Sequence, residues 1–330
     1  MATPFLKNKN VTRLIVAIIK TARPRQWLKS FAVFAEIIFS GQLLIESKFV
    51  SVVIAFLIFS GLSSAMYFLN DVADAEKDRL HPFKKRRPIA AGELSSKLAI
   101  LISLLLIFPL LAFSFSIGPF FGGIVATFVL LQASYTLYLK KIILIDVMTI
   151  AATFLLRVWG GAVIIDAHVT VWFLLAVSSL ALFLAVGKRR SERTILSGEL
   201  AGQHRSTLSH YPDTLLDALT IMFATAAWMT YTMFTFLEPI PSLSPTVLVF
   251  LGELLPRTFT ASKWLMISVP FVIYGVMRYL YIIYEKREGE SPERVLLSDK
   301  PLLIAVSLWG LIVFGVIYAF QLSLFTNFLG

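Results

Sequence analysis

The sequence predicts an all-α polytopic membrane protein of about nine transmembrane helices in two four-helix halves. Three observations carry this expectation. Of 330 residues, 57% are hydrophobic and 15% charged, whereas soluble domains carry about 25% charged residues; the mean hydropathy is +0.79. Nine stretches approach the roughly 20 apolar residues that a helix needs to cross a bilayer core. The cations alternate between connections, as topology requires.

The expected elements run in order. Residues 1–26 read as a cytoplasmic interfacial helix, because the apolar run from Val11 to Ile19 is short and interrupted by Arg13. Spans are expected at 27–45, 49–69, 95–117, 119–139, 142–165, 170–187, 214–237, 263–284 and 302–326. The first contains Glu36. Twenty-five of the 30 Lys and Arg residues fall before span one or after spans two, four, six and eight, counting Lys29 and Lys97 at the edges of spans one and three. The opposite connections hold Lys48, Arg257 and Lys263, while Arg157 and Arg278 lie inside spans. The positive-inside rule then places the N-terminus and the charged loops in the cytoplasm and the C-terminus outside. Long charged loops at 70–94 and 188–213 follow spans two and six, which suggests two similar halves, spans two to five and six to nine. The net charge of +10 does not indicate nucleic acid, because the cations are dispersed between apolar spans. The chain has no cysteine, which excludes disulfides, thiolate metal sites and a cysteine nucleophile. It also lacks a Walker A loop, a GxGxxG turn and an HExxH helix.

The first loop carries most of the chemistry. Asp71, Asp74 and Asp78 are spaced to share one helix face, and Asn70 adds a neutral oxygen. Magnesium takes one or two carboxylates and completes its shell with substrate phosphate. His81-Pro82 turns the chain out of helix, so that Lys84, Lys85, Arg86 and Arg87 can fold back and hold phosphate. A solvated loop of alternating charge is the plainer alternative. In the second loop, Lys188, Arg189, Arg190 and Arg193 outnumber Glu192, and His204, Arg205 and Tyr211 follow; a topology anchor is the plainer alternative there. Asp146, Thr149, Thr153 and Arg157 share a face of the fifth span, and Tyr274, Arg278, Tyr281 and Glu285 a face of the eighth. Charged positions in spans are costly and usually face a bundle interior. Gln132 and Tyr135 lie in the fourth span, and Arg23, Arg25 and Lys29 surround the start of the first.

These residues resemble the UbiA superfamily of intramembrane prenyltransferases over nearly the whole chain. The resemblance rests on Asn-Asp-x-x-Asp-x-x-x-Asp at 70–78. Within the superfamily the sequence is similar to the decaprenyl-phosphate phosphoribosyltransferases. That similarity lies in Arg-Pro-Arg-Gln-Trp at 23–27, Arg-Pro-Ile-Ala-Ala-Gly at 87–92, Leu-Lys at 139–140 with Asp-Val at 146–147, Leu-Arg at 156–157 with Gly-Gly at 160–161, Trp-Phe-Leu-Leu at 172–175, Gly-Lys-Arg at 187–189 and Arg-Tyr at 278–279. Two departures stand out. The ordinary prenyltransferases carry a second aspartate motif where this chain has Lys188, Arg189 and Glu192, and the phosphoribosyl group tends to an aromatic residue where this chain has Arg190.

The resemblance implies a single UbiA-like domain over 1–330, with a central cavity opening to the cytoplasm and active-site loops at 70–94 and 188–213. It implies transfer of 5-phosphoribosyl from phosphoribosyl pyrophosphate to a polyprenyl phosphate at a bacterial plasma membrane, feeding lipid-linked arabinose for cell-wall arabinan. Magnesium on Asp71, Asp74 and Asp78 is the implied catalytic centre. Phosphates are expected on Asn70, Lys29, Lys84, Arg86, Arg87, Lys140, Arg157, Lys188, Arg189, Arg205 and Arg278, with Tyr135, Asp146 and Glu192 as polar cavity groups. A basic second loop suits substrates bearing several phosphoryl groups better than a second acidic one would. The alternatives are an aromatic prenyltransferase, for example one acting on 4-hydroxybenzoate, and an anionic-lipid transporter.

Overall fold

The computed structural model describes residues 4–80, 84–195, 211–238, 261–286 and 292–318. Among these the elements are helical throughout. They comprise α1 (Pro4–Ala22), a 3-10 helix (Pro24–Phe34) running into α2 (Ala35–Phe39), α3 (Glu46–Ala73), α4 (Ala75–Leu80), α5 (Ser96–Ile117), α6 (Pro119–Leu137), α7 (Ile145–Ile164) and α8 (Val171–Ile195). The second part holds α9 (Asp213–Leu237), a second 3-10 helix (Ala261–Ser268) leading into α10 (Val269–Tyr281), α11 (Pro292–Ser298) and α12 (Lys300–Tyr318).

Among the described residues, eight helices are long and apolar enough to cross a membrane. They match the expected spans two to nine within a few residues at the described ends, except that the sixth, expected to end at 187, continues as helix to Ile195. The first expected span differs. Residues 27–45 hold the 11-residue 3-10 helix and the five residues of α2. At rises of about 2.0 and 1.5 Å per residue, the two together still extend about 30 Å. Hydropathy reports how apolar a stretch is, and does not report its pitch.

Two apolar clusters hold the halves together. Phe59, Phe121 and Phe128 meet among α3, α5, α6 and α7, with ring centroids 5.2 Å apart for Phe59 and Phe128. Phe173, Tyr231 and Phe234 meet among α8, α9, α10 and α12. The first segment joins both: Val33 and Ile37 pack into the first cluster, while Ala32, Ala35 and Phe39 pack into the second. Tyr318 at the end of α12 donates to the Ile37 and Ile38 carbonyls. The amphipathic helix α1 places Ala17, Leu14 and Ile18 against Phe68, Ile89 and Leu94. Its other face exposes Val11, Ile15 and Ile19, as an interfacial helix does.

The first segment lies directly on α7. A Cβ added at Gly161 would meet the Val33 carbonyl oxygen at 1.9 Å, so only glycine permits this approach. Gly161→Ala is therefore expected to cost about 1–3 kcal/mol or more through overpacking, read as a lower melting temperature of the detergent-solubilised protein. Gly123→Ala, which meets nothing within 4 Å, is expected to be neutral or slightly stabilising.

Candidate active site

Three elements bring the charges together. Helix α3 extends past its apolar part as far as Ala73, and Asp74 caps it. This carries Asn70, Asp71 and Asp74 beyond the apolar run on one continuous helix. Arg23 stands between α1 and the 3-10 helix in a left-handed conformation, φ 52°, which costs a non-glycine residue of order 1–3 kcal/mol. The turn is held by the Arg23 N–H donating to the Ile19 carbonyl. It aims the guanidinium at Asp71, 2.5 Å away, and over the Tyr67 ring.

The carboxylates are each met by a cation. Arg87 returns from the loop to touch Asp71 at 3.2 Å and Asp78 at 2.7 Å. Lys140, from the α6–α7 connection, donates to Asp74 at 2.8 Å and lies 3.5 Å from the Asn70 side-chain oxygen. Burial pushes the Asp78 carboxyl above its ordinary pKa, against the pull of Arg87. His81, Pro82 and Phe83 of the turn lie outside the described residues.

The second charged region is a helix at its start. Lys188 to Arg193 form the last turns of α8. Gly187 is a contact glycine within that helix, since a Cβ there would meet Ile283 at 2.7 Å. Arg189 is buried, and each of its three side-chain nitrogens has a partner. Its Nε donates to Asp146 at 2.6 Å, one terminal nitrogen to Glu192 at 2.6 Å and the other to the Tyr135 hydroxyl at 3.1 Å. Tyr211 donates to the remaining Asp146 oxygen at 2.7 Å, and burial together with that bond pushes its hydroxyl pKa up. Arg190 pairs with Asp217 at 2.5 Å. Arg205 lies outside the described residues.

A cavity of about 1650 Å³ joins these groups to an apolar chamber. Its polar wall includes Arg23, Lys29, Asn70, Asp74, Lys77, Asp78, Lys84, Arg87, Tyr135, Lys140, Lys141, Lys188, Glu192 and Glu293. Its apolar wall includes Phe39, Phe154, Phe173, Leu180, Val272, Val306 and Trp309. Nine cationic residues line it against four carboxylates. Arg157 stands deeper in the cavity, with Ser63 and the Thr153 carbonyl as hydrogen-bond acceptors, Phe128 beneath it and its buried Nε without a partner.

Several expected site residues sit elsewhere. Asp71 lies behind the wall, buried under Arg23 and Arg87. Asp146 and Arg189 do not line the cavity; they fix Glu192 and Tyr135, which do. Arg86 is exposed and off the wall. Arg278 is also off the wall, paired bidentately with Asp299 at 3.0 Å, which caps α12. Among the described residues no group of three or more acidic or histidine side chains converges to hold a metal ion. The oxygens that do reach the cavity, from Asn70, Asp74 and Asp78, suit a hard cation that shares its shell with substrate phosphate. Glu293, which lines the cavity from α11, was not marked by any motif.

Residues 30–296 match the UbiA prenyltransferase family. The chain is 31% identical over 317 residues to the decaprenyl-phosphate phosphoribosyltransferase of Corynebacterium glutamicum, covering 94% of this chain and 90% of that one. It is 30% identical over 301 residues to the protein of the same name from Mycolicibacterium smegmatis, covering 90% and 91%. A UbiA homolog from Archaeoglobus fulgidus, solved bound to GPP and Mg2+, has a similar fold, with a TM-score of 0.64 and 18% identity over 91% of this chain and 99% of that one.

Breaking the buried Arg189 pair strands a charge. Arg189→Ala and Asp146→Ala are each expected to cost about 3–5 kcal/mol, measured as lost thermal stability of the purified protein. Arg278→Ala, whose side chain is partly exposed, is expected to cost less.

Proposed function

The chain belongs to the UbiA prenyltransferase family, and we propose that it transfers 5-phosphoribosyl from phosphoribosyl pyrophosphate to a polyprenyl phosphate at the cytoplasmic face of a bacterial plasma membrane. It is a multi-pass membrane protein by its eight apolar helices and its family. The observation that carries the reading is the cavity itself: among the described residues eight cations face four carboxylates at one end, Arg157 stands deeper, and an apolar chamber lies at the other end. A lipid phosphate and a doubly phosphorylated sugar together supply the anionic load for one end and the hydrocarbon for the other. An aromatic acceptor with a single prenyl diphosphate would leave buried cations unpaired, which a binding site penalises strongly.

The residues have distinct tasks. Without substrate, Arg87 and Lys140 neutralise the acidic loop. Arg87 and Lys140 are placed to pass to phosphate oxygens, which would leave Asn70, Asp74 and Asp78 as the oxygens that would hold magnesium. Magnesium, when bound, supplies charge neutralisation for the leaving diphosphate. The bond from the anomeric carbon to the diphosphate oxygen breaks, and its electron pair leaves with the diphosphate. An oxygen of the lipid phosphate bonds to that carbon from the opposite face. It is already anionic near pH 7, so no side chain need remove a proton. Lys188, whose Nζ is 3.9 Å from Glu192, and Lys29 are placed to hold further phosphate oxygens, and Arg157 an anionic oxygen deeper in the cavity.

Purified protein supplied with magnesium, phosphoribosyl pyrophosphate and decaprenyl-type phosphate is expected to yield a phosphoribosylated lipid, detectable by mass spectrometry. Prenylation of an aromatic acid with no use of phosphoribosyl pyrophosphate would contradict this reading. Asp74→Ala is expected to abolish transfer while the protein still purifies. Lys188→Ala is expected to weaken donor binding by about 10- to 100-fold, the worth of one charge-assisted contact. Unchanged donor affinity would assign Lys188 to membrane topology alone.

A further inference from the structure

Glu293 is an acid on a wall built to receive phosphates. It occupies the second position of α11 and lines the cavity. Its side chain is only 10% exposed. Gln26 donates to Oε1 at 2.5 Å. The other oxygen, Oε2, is buried and has no hydrogen-bond partner; the Lys29 ammonium stays 3.9 Å from it. Gln26 and Lys29 are one turn apart on the 3-10 helix, where residues three apart eclipse. That register turns both toward Glu293 and fixes the plane of its carboxylate.

A buried carboxylate oxygen without a donor is costly, and an ionised carboxylate can only accept. Burial pushes the Glu293 pKa up, but Lys29, the residue's own backbone N–H, Gln26 and Lys188 outweigh it and hold the group below the ordinary value. The charge stays on, so Oε2 repels phosphate and calls for a neutral donor. On the phosphoribosyl reading above, on which this inference rests, the ligand offers such donors at the hydroxyls on carbons 2 and 3 of the pentose. We propose that Glu293 Oε2 accepts a hydrogen bond from a ribose hydroxyl of the donor substrate, and so selects a pentose phosphate over a bare diphosphate or a prenyl diphosphate. The cations read the phosphates, and Glu293 reads the sugar between them.

The test pairs a change in the protein with a change in the ligand. Binding of phosphoribosyl pyrophosphate, its 2-deoxy and 3-deoxy analogues and inorganic diphosphate is measured with magnesium on the full-length protein in detergent. Wild type is expected to prefer phosphoribosyl pyrophosphate over at least one deoxy analogue by about tenfold or more. Glu293→Gln, which puts an amide in place of the accepting pair, should reduce that preference to within about twofold while binding diphosphate at least as tightly as wild type. Glu293→Asp keeps the charge beside Lys29 but withdraws the oxygen, and should behave alike; it carries the comparison if Glu293→Gln does not fold. The proposal is overturned if the preference survives in the variants, if phosphoribosyl pyrophosphate and diphosphate weaken equally, or if wild type binds all three sugars alike. A wild type that binds no phosphoribosyl pyrophosphate at all would remove the phosphoribosyl reading itself, which is a separate result.

Discussion

A charge withdrawn from water inside a membrane protein must be given a partner, and that requirement shapes the polar end of this cavity. Desolvating an isolated ion costs several kcal/mol even after relaxation. Asp71, Asp74 and Asp78 of the first loop are accordingly met by cations from three separate places in the chain. Arg23 comes from the junction before the 3-10 helix, Arg87 from the returning loop, and Lys140 from the α6–α7 connection. The same ion pairs that satisfy the charges therefore tie together α1, α3, α4 and the end of α6.

The pairs divide into two kinds. Asp146 and Arg189 are both 1% exposed, and every nitrogen of the guanidinium has a partner. Their role is to hold Glu192 and Tyr135 at the wall. The pairs of Arg87 and Lys140 are partly exposed and border the cavity. Those are the ones that a multiply charged substrate can compete for. On the proposed function, such a resident ion pair satisfies both charges in the empty site and would release the cation to phosphate and the carboxylate to metal when substrate enters.

Much of the fold was legible because hydropathy and length alone mark a spanning helix. Spans two to nine lie close to where the apolar runs put them, and the long first loop stood out as a dense charged block between two of them. The 3-10 course of Pro24–Phe34 was not legible, since pitch leaves no mark on a run of Trp, Leu, Phe and Val. Lys188 to Arg193 looked like a loop because basic residues commonly end a span, yet the helix carries on through them. The pairing of Arg189 with Asp146 joins residues 43 apart in sequence, and only the packing of α7 on α8 brings them together. Glu293 follows Pro292 at a helix start, where an acidic residue is ordinary, so nothing local distinguished it from a helix-dipole partner. Arg278 shows the converse: a lone arginine within a span suggested a ligand, and its partner Asp299 lies at the start of the next helix.

On the proposed function, the cations now resting on the first-loop carboxylates are the ones that receive the donor phosphates. An electron cryo-microscopy structure of the protein with phosphoribosyl pyrophosphate and magnesium tests it most directly. The expected result is Arg87 and Lys140 on phosphate oxygens, with Asp74 and Asp78 turned to the metal. Both ion pairs intact, with the phosphates bound elsewhere, would contradict it.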